Sequence, residues 1–449
     1  MNRFPSSSLK RLLCLVLCVA LVCSLSLACA ASGELPELHC EAALVVHPDT
    51  GLILYAKNPD RQLPCSSLAK IMTAMLVLDQ FPDLMQTLEV SETAIADLSG
   101  ATTASLKAGE VLTVEQLLYC LLLHSAADAA NVLAEGVSGN LDSFVEQMNE
   151  RAEELSLRST HFHTAYGKDD PQTYSTASDL AKLTQAALKN QTFRDLVKTQ
   201  YKRIPRTNLS GDRYYFSNNA LVISSAERRQ TEDYYYRYAS GVMTGYSSDF
   251  GYHISALSNK SDMELVTIVL GAPRDSQTGE KYHYTDAKAL MNWCYENLQY
   301  TMLLSRQTPV CEVPVALSAS KDAVTLIASE DLYAVIPTEV ELSMLDVQYD
   351  LSENLEAPLT TDDILGQAVF SYDGVEYARC DLHPQSDVDR SIILLLLHRI
   401  MTFLSGRYFK LALLALLVLG LLYFLLALYL NKKRHRSRRR RSRPRKRYR

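Results

Sequence analysis

The chain has 449 residues, of which 47% are hydrophobic and 21% charged, a globular composition and a length that exclude a single small domain. The net charge of −6 conceals an asymmetry, because 13 basic residues lie in positions 431–449 and three in the first 30. The other 29 basic residues face 51 acidic ones, a net charge near −22 that makes nucleic acid an unfavourable partner.

The first 30 residues have the organisation of a secretory signal peptide. Arg3, Lys10 and Arg11 precede an apolar run over residues 12–27, and Ala28-Cys29-Ala30 is a small-x-small cleavage pattern. An uncleaved anchor is the alternative. A lipoprotein signal at Cys29 is disfavoured, because Ser26 stands where an aliphatic residue is wanted. The sequence therefore predicts export of the chain.

The next strands and helices follow an α+β order. Residues 41–64 predict two strands joined by a Pro-Asp-Thr-Gly turn, and residues 66–81 then change to helical periodicity. Thr113 and Gln116 form a capping box ahead of a helix, and a helix-rich stretch continues to about residue 197. Strands return between residues 201 and 272, and a last helix is predicted over residues 283–300. This order of strands, helices and strands differs from βαβ alternation. The helix beginning at residue 66 has an apolar face made of Leu68, Ile71, Met72, Met75, Leu76 and Leu78.

The pattern of apolar and polar residues changes after residue 305. Residues 306–385 alternate apolar and polar positions in short runs, with a hairpin signal at Asp373-Gly374, and predict a small β-sandwich. The domain preceding it is placed at residues 31–305. Residues 386–410 are interpreted as an amphipathic juxtamembrane segment.

The C-terminal end has the pattern of a membrane anchor. Residues 411–430 contain no charge, and 20 helical residues at about 1.5 Å each span a hydrocarbon core of about 30 Å. The basic tail over residues 431–449 predicts a cytoplasmic C-terminus, with the rest of the chain outside the cell membrane. Binding of anionic headgroups or nucleic acid by this tail is the alternative to a purely topological role.

Six cysteines remain after the predicted signal peptide, and they permit 15 disulfide connectivities: Cys40, Cys65, Cys120, Cys294, Cys311 and Cys380. A bridge between Cys311 and Cys380 and a set of buried reduced thiols are both compatible with the sequence. The cysteines lack zinc-type spacing, and the pair His161 and His163 has no third ligand nearby, so we expect no metal.

Ser67 and Lys70 form the first candidate catalytic pair. At a helix start, residues three apart share one face within one turn, which suits a serine nucleophile and a lysine base. The lysine must be neutral to take the hydroxyl proton, which requires burial or nearby positive potential. The same spacing recurs at Ser7 and Ser318, so only the hairpin, turn and helix around Ser67 distinguish it.

Two further stretches carry hydroxyl groups in suitable settings. Ser125 follows one helical stretch, where it could relay a proton, and Asp128 is predicted to cap the next helix. Thr244-Gly245 ends a strand and offers a hydroxyl, a backbone edge and room for a close ligand.

In "PCSSLAKIMTAMLVL", "HSAADAANVLAE" and "GVMTGYSSDFGYHISA" the sequence resembles the D-alanyl-D-alanine carboxypeptidases, low-molecular-weight penicillin-binding proteins of peptidase family S11. This resemblance covers about residues 41–384 and implies a DD-peptidase/β-lactamase-like domain with an antiparallel sheet, flanking helices and a helical subdomain. It implies removal of the terminal D-alanine from peptidoglycan stem peptides, acylation by β-lactams, and no cofactor.

The resemblance also assigns roles residue by residue. Ser67 is the acylated nucleophile, Lys70 its base, and Ser125 the group that passes a proton to the departing D-alanine. Thr244 and Gly245 hold the terminal carboxylate and pair with the peptide. The backbone N–H groups of Ser67 and Tyr246 form the oxyanion hole.

Two positions of the family's motifs differ in this chain. Ala127 stands where the family's Ser-x-Asn motif has asparagine, and Met243 where Lys-Thr-Gly has lysine. Both count as substrate-binding positions. Ser217-Asn218-Asn219 also spells Ser-x-Asn, but it lies 26 residues before Met243 and is set aside.

These replacements predict weaker catalysis. Without the cation at position 243, Lys70 is expected to keep a higher pKa and the substrate carboxylate to bind less well. Each lost charge-assisted contact is worth about 1.5–3 kcal/mol. The main hypothesis is thus a carboxypeptidase of reduced activity. The alternatives are a catalytically impaired wall-binding or regulatory protein, and a β-lactamase or esterase on the same fold.

Overall fold

The computed structural model of the protein describes residues 33–228, 233–306, 308–352 and 354–441. The signal peptide predicted for residues 1–30 and the last residues of the basic tail, 442–449, lie outside the described residues. The chain divides into two compact units. The first unit takes the residues up to Leu303, together with Tyr333–Asp346 and Ser371–Tyr377, and the second unit takes the rest.

Eleven strands precede the last helix of the first unit, within the described residues. They are β1 Ala42–Val46, β2 Ile53–Lys57, β3 Leu63–Pro64, β4 Thr87–Glu89, β5 Val111–Thr113, β6 Tyr174–Ser175, β7 Tyr201–Ile204, β8 Arg213–Phe216, β9 Ala239–Ser247, β10 Gly251–Lys260 and β11 Met263–Ala272. Five of them form an antiparallel sheet in the order β2-β1-β11-β10-β9.

The helices of this unit lie between and after these strands. They are α1 Lys70–Gln80, α2 Val114–Leu123, α3 Ala127–Ser138, α4 Leu141–Glu154, α5 Ala177–Leu188, α6 Gln191–Lys198, the short α7 Ser225–Arg228, and α8 Tyr282–Asn297. A 3-10 turn, Ser66–Ala69, leads directly into α1. The predicted capping box at α2 is confirmed, since Thr113 and Gln116 bond reciprocally at its start.

Both faces of the five-stranded sheet are covered, which explains why β1 and β11 contain long apolar runs. Leu44 and Val46 of β1 belong to the core on the side of α1, α2 and α5, whereas Ala43 and Val45 belong to the core around α8. Alternate residues of a strand point to opposite faces, so every position of β1 is buried. The helical core holds the predicted face of α1, with Leu76 and Leu78 only partly buried.

Some boundaries differ from those predicted. The last helix ends at Asn297, and the following residues start β12 Leu298–Leu304. The strand containing Thr244 begins only at Ala239, because the preceding tyrosines instead pack around α8. The sequence predicts β7 but not its hairpin partner β8.

The C-terminal part of the chain is rich in strands. The remaining strands are β13 Pro309–Pro314, β14 Ala323–Ala328, β15 Leu332–Pro337, β16 Asp346–Leu351, β17 Gly366–Tyr372 and β18 Val375–Pro384. A five-stranded sheet has the order β13-β14-β18-β17-β16. The predicted hairpin at Asp373-Gly374 is confirmed, because both residues have positive φ and join β17 to β18.

Two helices follow the strands. The first is α9 Ile392–Ser405, in which no residue is buried, and the second is α10 Arg407–Arg441. Within α10, Arg407–Leu430 is the single stretch of the described residues long and apolar enough to cross a membrane, with mean hydropathy 2.9.

The six cysteines that the structure describes form no disulfide with one another, and all but the partly buried Cys311 are buried. The bridge between Cys311 and Cys380 is not formed. Burial raises the pKa of the Cys40, Cys65 and Cys120 thiols to about 12, which makes them unreactive.

Candidate active site

Ser67 lies in the 3-10 turn that opens α1. Ser66 before it has φ +46, a left-handed conformation that non-glycine residues adopt at a cost, and its buried hydroxyl has no hydrogen-bond partner among the described residues. Leu68 and Ala69 on the other side are fully buried. The packing of these neighbours thus fixes the turn. Ser67 itself is only half-buried, so its hydroxyl stays accessible to a ligand.

Lys70 contacts Ser67 as the three-residue spacing predicts. Its Nζ lies 3.0 Å from Ser67 Oγ and donates to the Tyr166 carbonyl oxygen at 2.7 Å. The side chain is buried, and burial lowers the Lys70 pKa to about 7, so a large share of the lysine is neutral near neutral pH. Burial alone is thus sufficient to lower the Lys70 pKa in a chain that has Met243. The expectation that the Met243 replacement raises this pKa relative to a chain with lysine at position 243 stays a prediction.

The carbonyl of Tyr166 orients the lysine. A neutral amine that donates one hydrogen to this carbonyl can direct its lone pair to Ser67 Oγ. Gly167 allows the approach, because it has φ +70 and a Cβ there would lie 1.9 Å from the Ser66 carbonyl oxygen. Sequence reasoning assigned no role to this loop, although the tight turn that its glycine permits was the available signal.

The same loop is tied to the turn after β9. Asp169 accepts hydrogen bonds from the Ser248 backbone N–H at 2.7 Å and from its hydroxyl at 2.9 Å. Tyr246, which is more than half exposed, precedes that turn. The loop of residues 166–169 is therefore joined to the end of β9, and residues of both line the cavity at Ser67.

Ser125 occupies the connection between α2 and α3, as predicted, and has φ +60. The prediction for Asp128 is wrong: Ala126 is the N-cap residue of α3 and makes no side-chain bond. The buried carboxylate of Asp128 instead accepts from the N–H groups of Ala104 and Leu106 at 2.8 and 3.0 Å. It thereby holds the segment whose residue Thr102 accepts from the Ala127 N–H.

Strand β9 brings Thr244 and Gly245 to Ser67. A Cβ at Gly245 would lie 3.4 Å from the Ser67 backbone nitrogen, so this strand passes close to the nucleophile. Met243 lies one residue earlier, 2% exposed, as part of the helical core. Ala127 is likewise 1% exposed, with a methyl group where an amide was expected.

Asn218 also reaches the site, which sequence reasoning had excluded. Its N–H donates to the Leu123 carbonyl and its side-chain amide to the His124 carbonyl, both at 2.9 Å, immediately before Ser125. Ser217 does not complete a motif, because its hydroxyl accepts from the Asn219 N–H. Separation along the chain hid this contact, since only the fold brings residue 218 beside residue 125.

Two cavities meet at the serines. The first, of about 380 Å³, is lined by Ser67, Lys70, Ser125, Ala127, Tyr166 and Tyr246, among others. The second, of about 230 Å³, shares Ser67, Ser125 and Tyr246 and continues along Thr244, Gly245 and Asn218 to Lys281 and His283. Met243 is not part of either lining. Such a site can hold an extended peptide with its central carbonyl at Ser67.

Comparison with known proteins assigns this site to a family. The profile described as "D-alanyl-D-alanine carboxypeptidase" matches residues 29–274, more than half of the chain. The chain belongs to the D-alanyl-D-alanine carboxypeptidase family. A second profile, "Penicillin-binding protein 5, C-terminal domain", matches residues 299–390.

Relatives of this family match over most of their length. D-alanyl-D-alanine carboxypeptidase DacF of Bacillus subtilis is 25% identical over 80% of this chain and 89% of its own. DacA of Haemophilus influenzae is 28% identical over 79% and 86%. The crystal structure of penicillin-binding protein 5 from Haemophilus influenzae has 25% identity and a TM-score of 0.67, covering 80% of this chain and all of that one. The predicted family and fold class are confirmed.

Proposed function

We propose that this chain is a serine-type D-Ala-D-Ala carboxypeptidase that removes the terminal D-alanine of peptidoglycan stem peptides. The observation that carries the proposal is the contact of 3.0 Å between Lys70 Nζ and Ser67 Oγ, with the Lys70 pKa lowered to about 7. A base with a pKa near the working pH is close to the optimum for proton transfer. The family to which the chain belongs supports the substrate class.

In the proposed reaction, Ser67, Lys70 and Ser125 carry out acylation. Ser67 Oγ attacks the carbonyl carbon of the penultimate D-alanine while its proton passes to neutral Lys70 Nζ. The N–H groups of Ser67 and Tyr246 stabilise the resulting oxyanion. The peptide bond then breaks, and the departing D-alanine amine takes a proton through Ser125. Water hydrolyses the ester, which restores the Ser67 hydroxyl and releases the shortened peptide as a carboxylate.

β-Lactams enter the same sequence of steps. Attack by Ser67 opens the lactam ring, and the ring nitrogen takes the proton but stays attached to the acyl group. We expect the acyl-enzyme to accumulate, since the leaving group cannot diffuse away. A fluorescent penicillin is therefore the direct probe of the proposed nucleophile.

A catalytically impaired wall-binding or regulatory protein is the second candidate function. Ala127 and Met243 favour it, because each removes a polar group that the family's motifs contain. In this case the cavities would bind a stem peptide without forming an ester.

Labelling of the full chain in detergent with the fluorescent penicillin distinguishes these candidates. We expect a covalent band that is lost in Ser67→Ala. The matched control is Ser318→Ala, which has the same Ser-x-x-Lys spacing but where Lys321 Nζ donates to Ser386 and to the Asp387 carbonyl. This control should label fully. Folded protein that stays unlabelled at saturating probe would contradict the carboxypeptidase and leave the second candidate.

The proposed placement is at the cell envelope. Residues 1–30 would direct export, residues 31–305 carry the peptidase domain, residues 306–385 form the β-sandwich stalk, and residues 386–410 lead to a membrane helix at 411–430. The basic segment 431–449 would then stay in the cytoplasm. The apolar stretch Arg407–Leu430 supports this anchoring by length and composition.

A further inference from the structure

The hairpin of β7 and β8 carries a row of exposed aromatic rings. Tyr201, Tyr214 and Phe216 are 44%, 56% and 41% exposed, and we call them the aromatic row. Tyr201 is in the middle, with its ring centroid 6.2 Å from that of Tyr214 and 5.0 Å from that of Phe216. Large apolar side chains that are exposed together, unlike single ones, are typical of a binding surface.

The opposite face of the hairpin holds it to the rest of the first unit. Ile204 and Tyr215 belong to the helical core, and the Tyr215 hydroxyl donates to the Ala104 carbonyl oxygen at 3.1 Å. Both carboxylate oxygens of buried Glu110 accept from Arg213 at 2.8 Å. Alternate residues of a strand point to opposite faces, so the aromatic row takes no part in these contacts. The hairpin therefore presents the row on a fixed support.

The aromatic row begins beside the candidate active site. Asn218, which lines the second cavity, follows Phe216 by two residues. On the inner face, the Tyr215 ring stacks on the His124 ring with centroids 4.6 Å apart, and His124 directly precedes Ser125. Because β8 is extended, the row leads away from the cavity along the strand. A ligand that leaves the second cavity over this surface therefore meets the row.

An ion pair lies beside the aromatic row. Arg203, opposite Tyr214 in the hairpin, donates to one Asp212 oxygen at 2.6 and 2.9 Å. The two charges neutralise each other, so a strongly charged polymer gains little here. A guanidinium donates to hydroxyl groups and a carboxylate accepts from them. Rings flanked by such a pair therefore favour a neutral ligand that has apolar faces and many hydroxyl groups.

The sugar strand of peptidoglycan has this chemistry. A sugar ring exposes C–H bonds on its faces and hydroxyl groups at its edge, so its face can pack on an aromatic ring while its edge bonds to polar side chains. The strand is also tethered close to the cavities. A stem peptide of five residues spans at most about 18 Å, so a peptide bound at Ser67 keeps its own sugar strand within that distance.

We propose that the aromatic row of Tyr201, Tyr214 and Phe216 binds the glycan strand to which the stem peptides are attached. This inference rests on the proposed function, since it adds the sugar polymer to the substrate of the same site. Binding along the row holds the chain on the polymer and raises the effective concentration of stem peptides at Ser67.

Binding of sugar strands without peptides tests this inference directly. Full-length Ser67→Ala protein in detergent is titrated by calorimetry with glycan strands of several disaccharides, from which an amidase has removed the stem peptides. We expect the strands to bind. Adding Tyr201→Thr and Tyr214→Thr should weaken binding about tenfold, because two ring contacts are lost while threonine keeps the strand propensity of the hairpin. Adding Tyr201→Phe and Tyr214→Phe instead should preserve most of the binding, because the ring faces remain.

Further measurements make the result specific. The matched control is Tyr349→Thr, because Tyr349 is also 44% exposed on a strand but belongs to the second unit, and it should leave glycan binding unchanged. Tyr214→Thr alone replaces the double threonine variant if the latter does not fold, and should weaken binding about threefold. In the chain that keeps Ser67, assays of D-alanine release should show that the threonine substitutions raise KM more for glycan-linked pentapeptide than for free pentapeptide.

The outcomes separate this inference from the proposed function. Absence of glycan binding by the Ser67→Ala protein, or equal binding after the threonine substitutions, would overturn the role of the aromatic row even if penicillin labels Ser67. A dimer that these substitutions disperse, with glycan binding unchanged, would assign the row to contacts between two copies of the chain. Glycan binding that depends on the row in a chain that penicillin does not label would keep the inference, reject the carboxypeptidase and favour the wall-binding candidate.

Discussion

Lys70 controls the reaction through its protonation. Only the neutral amine accepts the Ser67 proton, and burial lowers the Lys70 pKa to about 7. The rate of acylation should therefore rise with pH, reach half its maximum at about pH 7 and level off above about pH 8. Penicillin labelling quenched at fixed times, from acid to mildly alkaline pH, measures this profile.

Neighbouring imidazoles provide the control for this profile. Burial lowers the His253 pKa to about 4, so His253 ionises below the measured range. His163 contacts Asp170 at the end of the Tyr166 loop, and His163→Gln should leave the midpoint in place. A midpoint at the ordinary lysine value of about 10.4, or one that disappears in His163→Gln, would show that buried Lys70 is not the group observed.

At the scale of single residues, local spacing was predictable and tertiary neighbours were not. Ser67 and Lys70 share one turn, so three-residue spacing was enough to predict their contact. The Lys70 pKa depends on burial by distant elements, and the sequence alone does not give the extent of that burial. Asn218 and Lys281 come from segments far along the chain, and no local pattern marks either residue as part of the site.

At the scale of elements, the loop carrying Tyr166 depends on Gly167. In Gly167→Ala, the new Cβ would meet the Ser66 carbonyl oxygen at 1.9 Å, so the loop must move and take the Tyr166 carbonyl away from Lys70. A displacement of about 1 Å can reduce the rate about a hundredfold. The rate of penicillin acylation is the measurement.

A second glycine separates this effect from backbone strain. Gly139, at the end of α3, has φ +79 and nothing within 4 Å of a built Cβ. Gly139→Ala should lower the melting temperature through its left-handed backbone but keep the acylation rate. Equal acylation by Gly167→Ala and Gly139→Ala would show that the Tyr166 carbonyl does not position the lysine.

Elements were predictable where one pattern dominated. Strand-like runs between residues 201 and 272 predicted β10 and β11, and the capping box predicted the start of α2. The end of α8 was not predicted, because residues 298–300 suit a helix as well as the strand that they form. The cap of α3 was misassigned, since Ala126 is its N-cap residue and the Asp128 carboxylate accepts mainly from another segment, the N–H groups of Ala104 and Leu106.

At the scale of the whole molecule, composition predicted the order of parts better than their limits. The main segment of the first unit ends at Leu303, close to the predicted domain boundary at residue 305. The first unit also includes two later segments, Tyr333–Asp346 and Ser371–Tyr377. Such exchanges depend on which strands pair in space. A domain boundary predicted from composition divides the chain at one position, so it cannot assign later segments of the chain to the first unit.

The two C-terminal helices predict a graded attachment to membranes. Removal of residues 407–449 deletes the spanning stretch but keeps α9, whose Ile392 and Ile393 are 81% and 73% exposed. We expect that chain to stay with the membrane fraction at low salt and to leave it in alkaline carbonate, because an interfacial helix holds less apolar area than a spanning one. A chain ending at residue 390 should be soluble throughout. Fractionation followed by immunoblotting measures both, and carbonate release of the full chain would contradict the spanning helix.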